Sequence, residues 1–432
     1  MRYLFILLAA LGCDDAGGTS TDPVTATDMG VSDSQFVNDS SGNDAASPDA
    51  SMDASSDANV PSEWPDWRKG LATWQWHELP DTSLYSVQPS VVVSGQPDAD
   101  GVSIAGGLYG RIDAWNGLAA SRARNTLYSA ANGGHADYAG NEVYAFELGV
   151  DAPTWRILRQ PTAANLIRRG NYNDQIYSDY YDDGRPGSTH SYYALHFLDS
   201  RGAIVRFGAG SLYGTGNEAN LKTEAFVLET NDWVPEGTYP EIIEGSRAGA
   251  INQTVCMDFE NDDVYIGAAD GVRRFNAATA TYERLAGWLQ AQDSVKGAPC
   301  IVDRARQRVV FFQDAYKPPN GGLVFSLTDN TLSEITFAGD FRNENTSWRE
   351  SYGFMDVDGT YLLKTRSGDE VIRVNPQTFE ATAVDVTGGD ALPDAANGVQ
   401  TRFQYFPQLQ GYAYLPRHDA NVWFLASPPA RE

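Results

Sequence analysis

The stretch SRARNTLYSAANGGHADYAGNEVYAFELGVDAPTWRILRQP, Ser121–Pro161, decides the fold. Its apolar, aromatic and β-branched runs around Leu127, Tyr144 and Trp155 are parted by NGGHADYAG and GVDAP. Gly, Asn, Asp and Pro are turn formers, so each run predicts a short strand joined tightly to the next. No run is long enough, or spaced correctly, for an amphipathic helix.

The same strand recurs along the chain. NEVYAFEL (from Asn141), TEAFVLET (Thr223), DGVRRFNAAT (Asp270), GGLVFSLTD (Gly321), DEVIRVNPQT (Asp369) and ANVWFLAS (Ala420) start 82, 47, 51, 48 and 51 residues apart. Most are followed by one further strand, and each is preceded by a strand pair such as CIVDRARQRVVFFQDA. Four strands per unit of about fifty residues predict an all-β propeller of four-stranded antiparallel blades. Six blades are counted, and residues 81–110 leave room for a seventh. The last unit lacks a fourth strand, whereas TWQWHELP around Trp76 is a strand without a unit. Joining the two closes the ring and removes an exposed sheet edge.

With Gly133-Gly134 ending the second strand, Tyr144 in the third and Trp155 in the fourth, the first unit resembles a kelch repeat, as in galactose-oxidase-type propellers. The likeness covers about residues 70–427 in architecture, but its motifs stand in only one or two blades.

Outside this domain the chain changes character. Arg2, the apolar run Tyr3–Leu11 and Gly12 form a secretory signal ending at Cys13. Ala10-Leu11-Gly12-Cys13 resembles the bacterial lipobox, which implies an acylated Cys13 and a membrane anchor without a spanning helix. Residues 14–63 hold eleven acidic residues, no Lys or Arg, and Phe36 as their only aromatic. Such a segment buries too little apolar surface to offset chain entropy and reads as a disordered stalk. As a coil it spans roughly 40 Å. The expected organisation is signal 1–12, lipidated Cys13 and stalk 13–63, propeller 64–432. Asp14 resembles the residue that retains some lipoproteins at the inner membrane, yet the stalk suits an exported domain on the outer membrane or cell surface.

Removing the eleven stalk carboxylates and Arg2 from a net charge of −26 leaves −16 on the folded part. An acidic domain without a basic face excludes nucleic acid as a partner. Cys256 and Cys300 lack CxxC spacing and neighbouring histidines, so no metal site and no cofactor are expected. They occupy matching places in the first strands of adjacent units and are candidates for a disulfide between blades.

Strand order places the candidate site. The segment leading into each first strand and the loop between strands two and three open on one propeller face. His135, with Asp137 and Tyr138 beside it, lies in such a loop of blade 1. His190, followed by Tyr192 and Tyr193, leads into blade 2. A long insertion, Pro161–Ser188, rises beside them and carries Arg168, Arg169, Tyr172, Tyr177, Tyr180, Tyr181 and Arg185. Its tyrosines suggest stacking on a ligand, and loops of such length are commonly functional. Aligning the lead-in segments gives a second pattern: Arg111, His190, Arg247, Lys296, Arg349 and Arg402. Either these form a cationic ring for an anionic ligand, or each is a structural bridge between blades.

His, Tyr and Arg on one propeller face resemble, in outline, polysaccharide lyases such as ulvan lyases. That resemblance implies His135 and Arg206 as neutralisers of a uronic carboxylate, with His190 and Tyr192 or Tyr193 moving protons. Those lyases have seven blades where six are counted here. The repeated S-x-D-x-G-x-T-W turns of sialidases are absent. The leading expectation is a carbohydrate ligand, an anionic polysaccharide. A lyase acting on the same polymer and a protein-binding module without catalysis stand as alternatives.

Overall fold

In the computed structural model the strands of the quoted stretch pair as expected. Thr126–Ala130 lies antiparallel between Ala119–Ser121 and Val143–Glu147, and Trp155–Arg159 completes the blade. The structure describes residues 63–169, 179–214, 220–243, 254–289, 298–312, 321–341, 352–355 and 358–428. Cys13 and the stalk, Tyr172, Tyr177, Arg247, Lys296 and Arg349 lie outside the described residues.

Six sheets follow one another along the chain. Blade 2 contains Leu195–Leu198, Ala203–Leu212, Asn220–Val227 and Asp232–Trp233. Its long second strand also pairs with Thr189–His190. Blade 3 begins at Thr254–Met257 and blade 4 at Cys300–Asp303. Blade 5 begins at Tyr352–Met355, and Ala338–Gly339 runs parallel to its outermost strand. Blade 6 is Phe403–Phe406, Gly411–Tyr414 and Val422–Ala426, closed by Trp76–Leu79 in the register Trp76↔Leu425 to Leu79↔Val422. The first strand of the domain therefore completes the last blade. Residues 81–110 build no seventh blade. They form an arm whose Val93 and Ile104 pack with Tyr138, Ile167, Tyr181 and Tyr213.

Period-two alternation explains the packing between blades. In blade 1, Leu127, Tyr144, Phe146 and Trp155 join Leu415, Val422 and Phe424 of blade 6. Tyr128, Ala130, Val143 and Ala145 face the other way, onto Leu195, Phe197, Ile204 and Phe226 of blade 2. Each sheet is thus apolar on both faces, because each is sandwiched by neighbours.

Cys256 and Cys300 are disulfide-bonded, with Cα atoms 5.5 Å apart, and join the first strands of blades 3 and 4. Replacing both with alanine is expected to lower unfolding stability by about 2–4 kcal/mol, mainly because the unfolded chain is freed. Urea unfolding with and without reductant checks this. A wild-type protein indifferent to reductant would contradict it.

Candidate functional site

The site grows from the glycine pair. A Cβ on Gly133 would lie 2.2 Å from Ser188 Oγ, so only glycine lets this loop press against the lead-in of blade 2. Gly134 has φ +82, and its amide donates to Ser188 Oγ at 2.9 Å. The Gly133 amide donates to the Thr189 carbonyl at 2.9 Å. These contacts carry Asp137 of blade 1 to His190 of blade 2.

His190 is 3% exposed, and its Nε2 lies 2.9 Å from Asp137 Oδ2. With the proton on Nε2 donated to the carboxylate, Nδ1 is left as an acceptor, and Tyr192 OH stands 3.4 Å from it. Burial pushes the His190 pKa below its ordinary value, and the Asp137 hydrogen bond and charge oppose this. That direction favours the neutral imidazole, which can accept a proton.

Three rings surround it. The His190 ring centroid lies 5.3 Å from Trp115, 5.8 Å from Tyr192 and 6.3 Å from His135. The two histidines expected on one face therefore meet there. Trp115 (φ +53), His135 (φ +43) and Tyr192 (φ +44) are all left-handed. Each such conformation costs a non-glycine residue about 1–2 kcal/mol, and clustered strain of this kind marks sites more often than cores. Buried neighbours impose it. The Ser191 amide donates to Asn116 Oδ1 at 2.8 Å, the Gly117 amide to Ser191 Oγ at 3.0 Å, and the Tyr192 amide to the Trp115 carbonyl at 2.9 Å.

Several expected site residues lie elsewhere. Tyr138 is buried, and its hydroxyl donates to Glu142, which also accepts from Tyr144. Tyr193 is fully buried in the core. Arg206, also fully buried, pairs with Glu224 and donates to the carbonyls of Ala131 and Gly187. It cannot reach a bound carboxylate, which corrects its expected role. The cationic ring fails at two places for the same reason. Arg111 donates to Leu108 O, Val87 O and Tyr144 OH, and Arg402 to Val399 O, Pro416 O and Ala396 O. Both are buried loop staples. Arg185 is half-buried between Asp183 and Asp232. Of the insertion's tyrosines, Tyr180 and Tyr181 are buried and offer no stacking surface. Arg168 pairs with Asp182 and Asp100, and Arg169 with Asp98.

Trp115 was not marked by the sequence. It leads into blade 1, four residues after Arg111, and an aromatic there was the available signal. A second pair was also missed: His418 Nδ1 lies 2.6 Å from Asp113 Oδ2. Among the described residues no His, Cys, Asp and Glu group could hold a metal ion. A cavity of about 370 Å³ opens at the other rim of the channel, beside Met257, Ile301 and Phe354. It contains none of these histidines, and its Arg304 is paired with Asp258.

No family model and no curated protein matches this sequence. Solved structures align with much of the chain at low similarity. A protein of unknown function from Bacteroides thetaiotaomicron is 10% identical with TM-score 0.43, over 77% of this chain and 74% of that one. A gluconolactonase from Xanthomonas campestris is 13% identical with TM-score 0.42, over 72% of this chain and 86% of that one. At such identity and TM-score neither likeness bears on function.

Proposed function

We propose that this six-bladed propeller is a carbohydrate-binding module, held on a membrane through Cys13 and its acidic stalk. The observation that carries the reading is the cluster of Trp115, His135 and Tyr192 around buried His190 and its half-buried partner Asp137, with the three surrounding residues strained. Aromatic faces suit the C–H faces of a sugar ring, while His and Asp suit its hydroxyls. Selection for acidic sugars was expected from the cationic ring. Of that ring's described members, Arg111 and Arg402 are spent inside the fold, and His190 is the one that stands in the cluster. A glycan array probed with the purified protein tests this. Retention of a polysaccharide, lost in His190→Ala, is expected. Retention of no glycan by wild type would turn the assignment to a protein-binding module.

His135→Gly separates strain from fold. Glycine adopts left-handed φ freely, and His135 is exposed. Stability is expected to hold or rise by up to about 1 kcal/mol, while glycan retention weakens. A thermal melt lowered by several degrees would contradict this.

One observation favours a second reading, a lyase: the relay Asp137–His190–Tyr192. In β-elimination His190 Nδ1 takes the Tyr192 proton as the Tyr192 oxygen takes the C5 proton of a uronic acid. The electron pair forms the C4=C5 double bond, the C4–O bond breaks, and the departing oxygen takes the proton back through Tyr192. His135 would face the sugar carboxylate. Release of unsaturated uronides, followed by ultraviolet absorbance, is expected to fall about 100-fold or more in Tyr192→Phe. Binding without such release leaves the module non-catalytic.

A further inference from the structure

The second His–Asp pair occupies the same place in the fold as the first, one junction earlier. His190 leads into blade 2 and meets Asp137 from the second-to-third-strand loop of blade 1. Asp113 leads into blade 1 and meets His418 from the corresponding loop of blade 6. The roles of acid and imidazole are exchanged, but the junction is equivalent. Asp113 also accepts the His418 amide at 2.8 Å, and its own carbonyl accepts from Asn397 Nδ2 at 2.7 Å, so the pair is firmly built.

His418 of this pair lines a cavity of about 350 Å³ that the first site does not include. The arm that the sequence left as a candidate blade walls it. Tyr85 and Tyr109 stand at its rim, 54% and 43% exposed, with ring centroids 5.7 and 6.4 Å from His418. Val91, Val93 and Leu108 give it an apolar wall. Two exposed aromatic rings around a half-buried His–Asp pair present stacking faces and hydrogen-bonding groups together, the combination a sugar ring requires.

The cavity borders the first site through the chain around Tyr138. Tyr138 lines it, and the preceding residue, Asp137, holds His190. Gly107, also in its lining, donates its amide to the Asp137 carbonyl at 2.8 Å. Burial first, and then the charges of Asp137 and Asp113, push the Tyr109 hydroxyl pKa up.

We propose that the His418–Asp113 cavity, with Tyr85 and Tyr109, is a second subsite that takes a further sugar ring of the same polysaccharide chain. The polymer would then cross the junctions of blades 6, 1 and 2. This inference rests on the carbohydrate reading of the first site.

Chain length tests it. The dimer and hexamer of galacturonate, and those of β-1,4-linked glucose, are titrated calorimetrically into the full protein. The hexamer of the bound sugar is expected to bind about tenfold tighter than its dimer, the factor that about 1.4 kcal/mol supplies. In the double variant Tyr85→Ala, Tyr109→Ala that gain disappears while dimer affinity stays unchanged, which also shows that the variant is folded. A gain that survives in the double variant, or no gain in wild type, overturns the second subsite and leaves the first standing. Binding of neither sugar series by wild type overturns the carbohydrate reading itself, and the subsite with it.

Discussion

Arg206→Ala is expected to destabilise the protein by about 3–5 kcal/mol, enough to unfold many domains. Arg206 is fully buried, and Glu224, its ion-pair partner, is 1% exposed. Removing the guanidinium leaves a carboxylate in a low-dielectric interior without this cation, the costly half of breaking a buried pair. It also strips the Ala131 carbonyl (3.1 Å), Thr189 Oγ1 (3.2 Å) and the Gly187 carbonyl (3.0 Å) of a donor. Those acceptors belong to the lead-in of His190 and to the loop of His135, so Arg206 fastens the site from behind. Arg206→Lys keeps the charge without the planar fork and is expected to recover only part of the loss. Urea unfolding measures both. A variant as stable as wild type that had lost only ligand or turnover would restore the carboxylate-neutralising role.

Trp76→Ala is expected to cost a similar amount, about 3–5 kcal/mol. Trp76 belongs to the strand that completes blade 6 and is 1% exposed. Its ring centroid lies 6.3 Å from Phe403 and 6.2 Å from Tyr414, and its indole N–H donates to the Asp369 carbonyl of blade 5 at 3.1 Å. The substitution opens a cavity where the two ends of the ring meet. A weakened closing strand also exposes a sheet edge, so aggregation on heating should rise with the loss of stability. Calorimetry and light scattering check the two effects. An unchanged melting temperature would mean that the ring does not depend on this closure.

These two residues mark what was legible in the sequence. Trp76 was found because closure is a matter of strand counting: a unit short of one strand and a strand without a unit stood at opposite ends. The six blades were found likewise, since turn residues punctuate strands at a fixed period. Arg206 was misplaced because strand position fixes which loop a residue neighbours, not where its side chain turns. Arg111 and Arg402 show the reason. Lead-in loops carry carbonyls outside any sheet ladder, and a guanidinium with five donors satisfies several at once. A basic residue there is drawn into the fold rather than toward the channel mouth. His135 and His190 came together because their loops were placed correctly. The His418–Asp113 pair joins residues 305 apart, across the closure of the ring, and no local pattern announces it.

Ligand is proposed to sit on the face where blades 1 and 2 meet. Hydrogen–deuterium exchange of the protein with and without the glycan retained on the array tests it most directly. Protection is expected in residues 132–140 and 188–193, and at Trp115, with the opposite rim of the channel unchanged. Protection confined to that other rim, around Met257 and Phe354, would contradict the account.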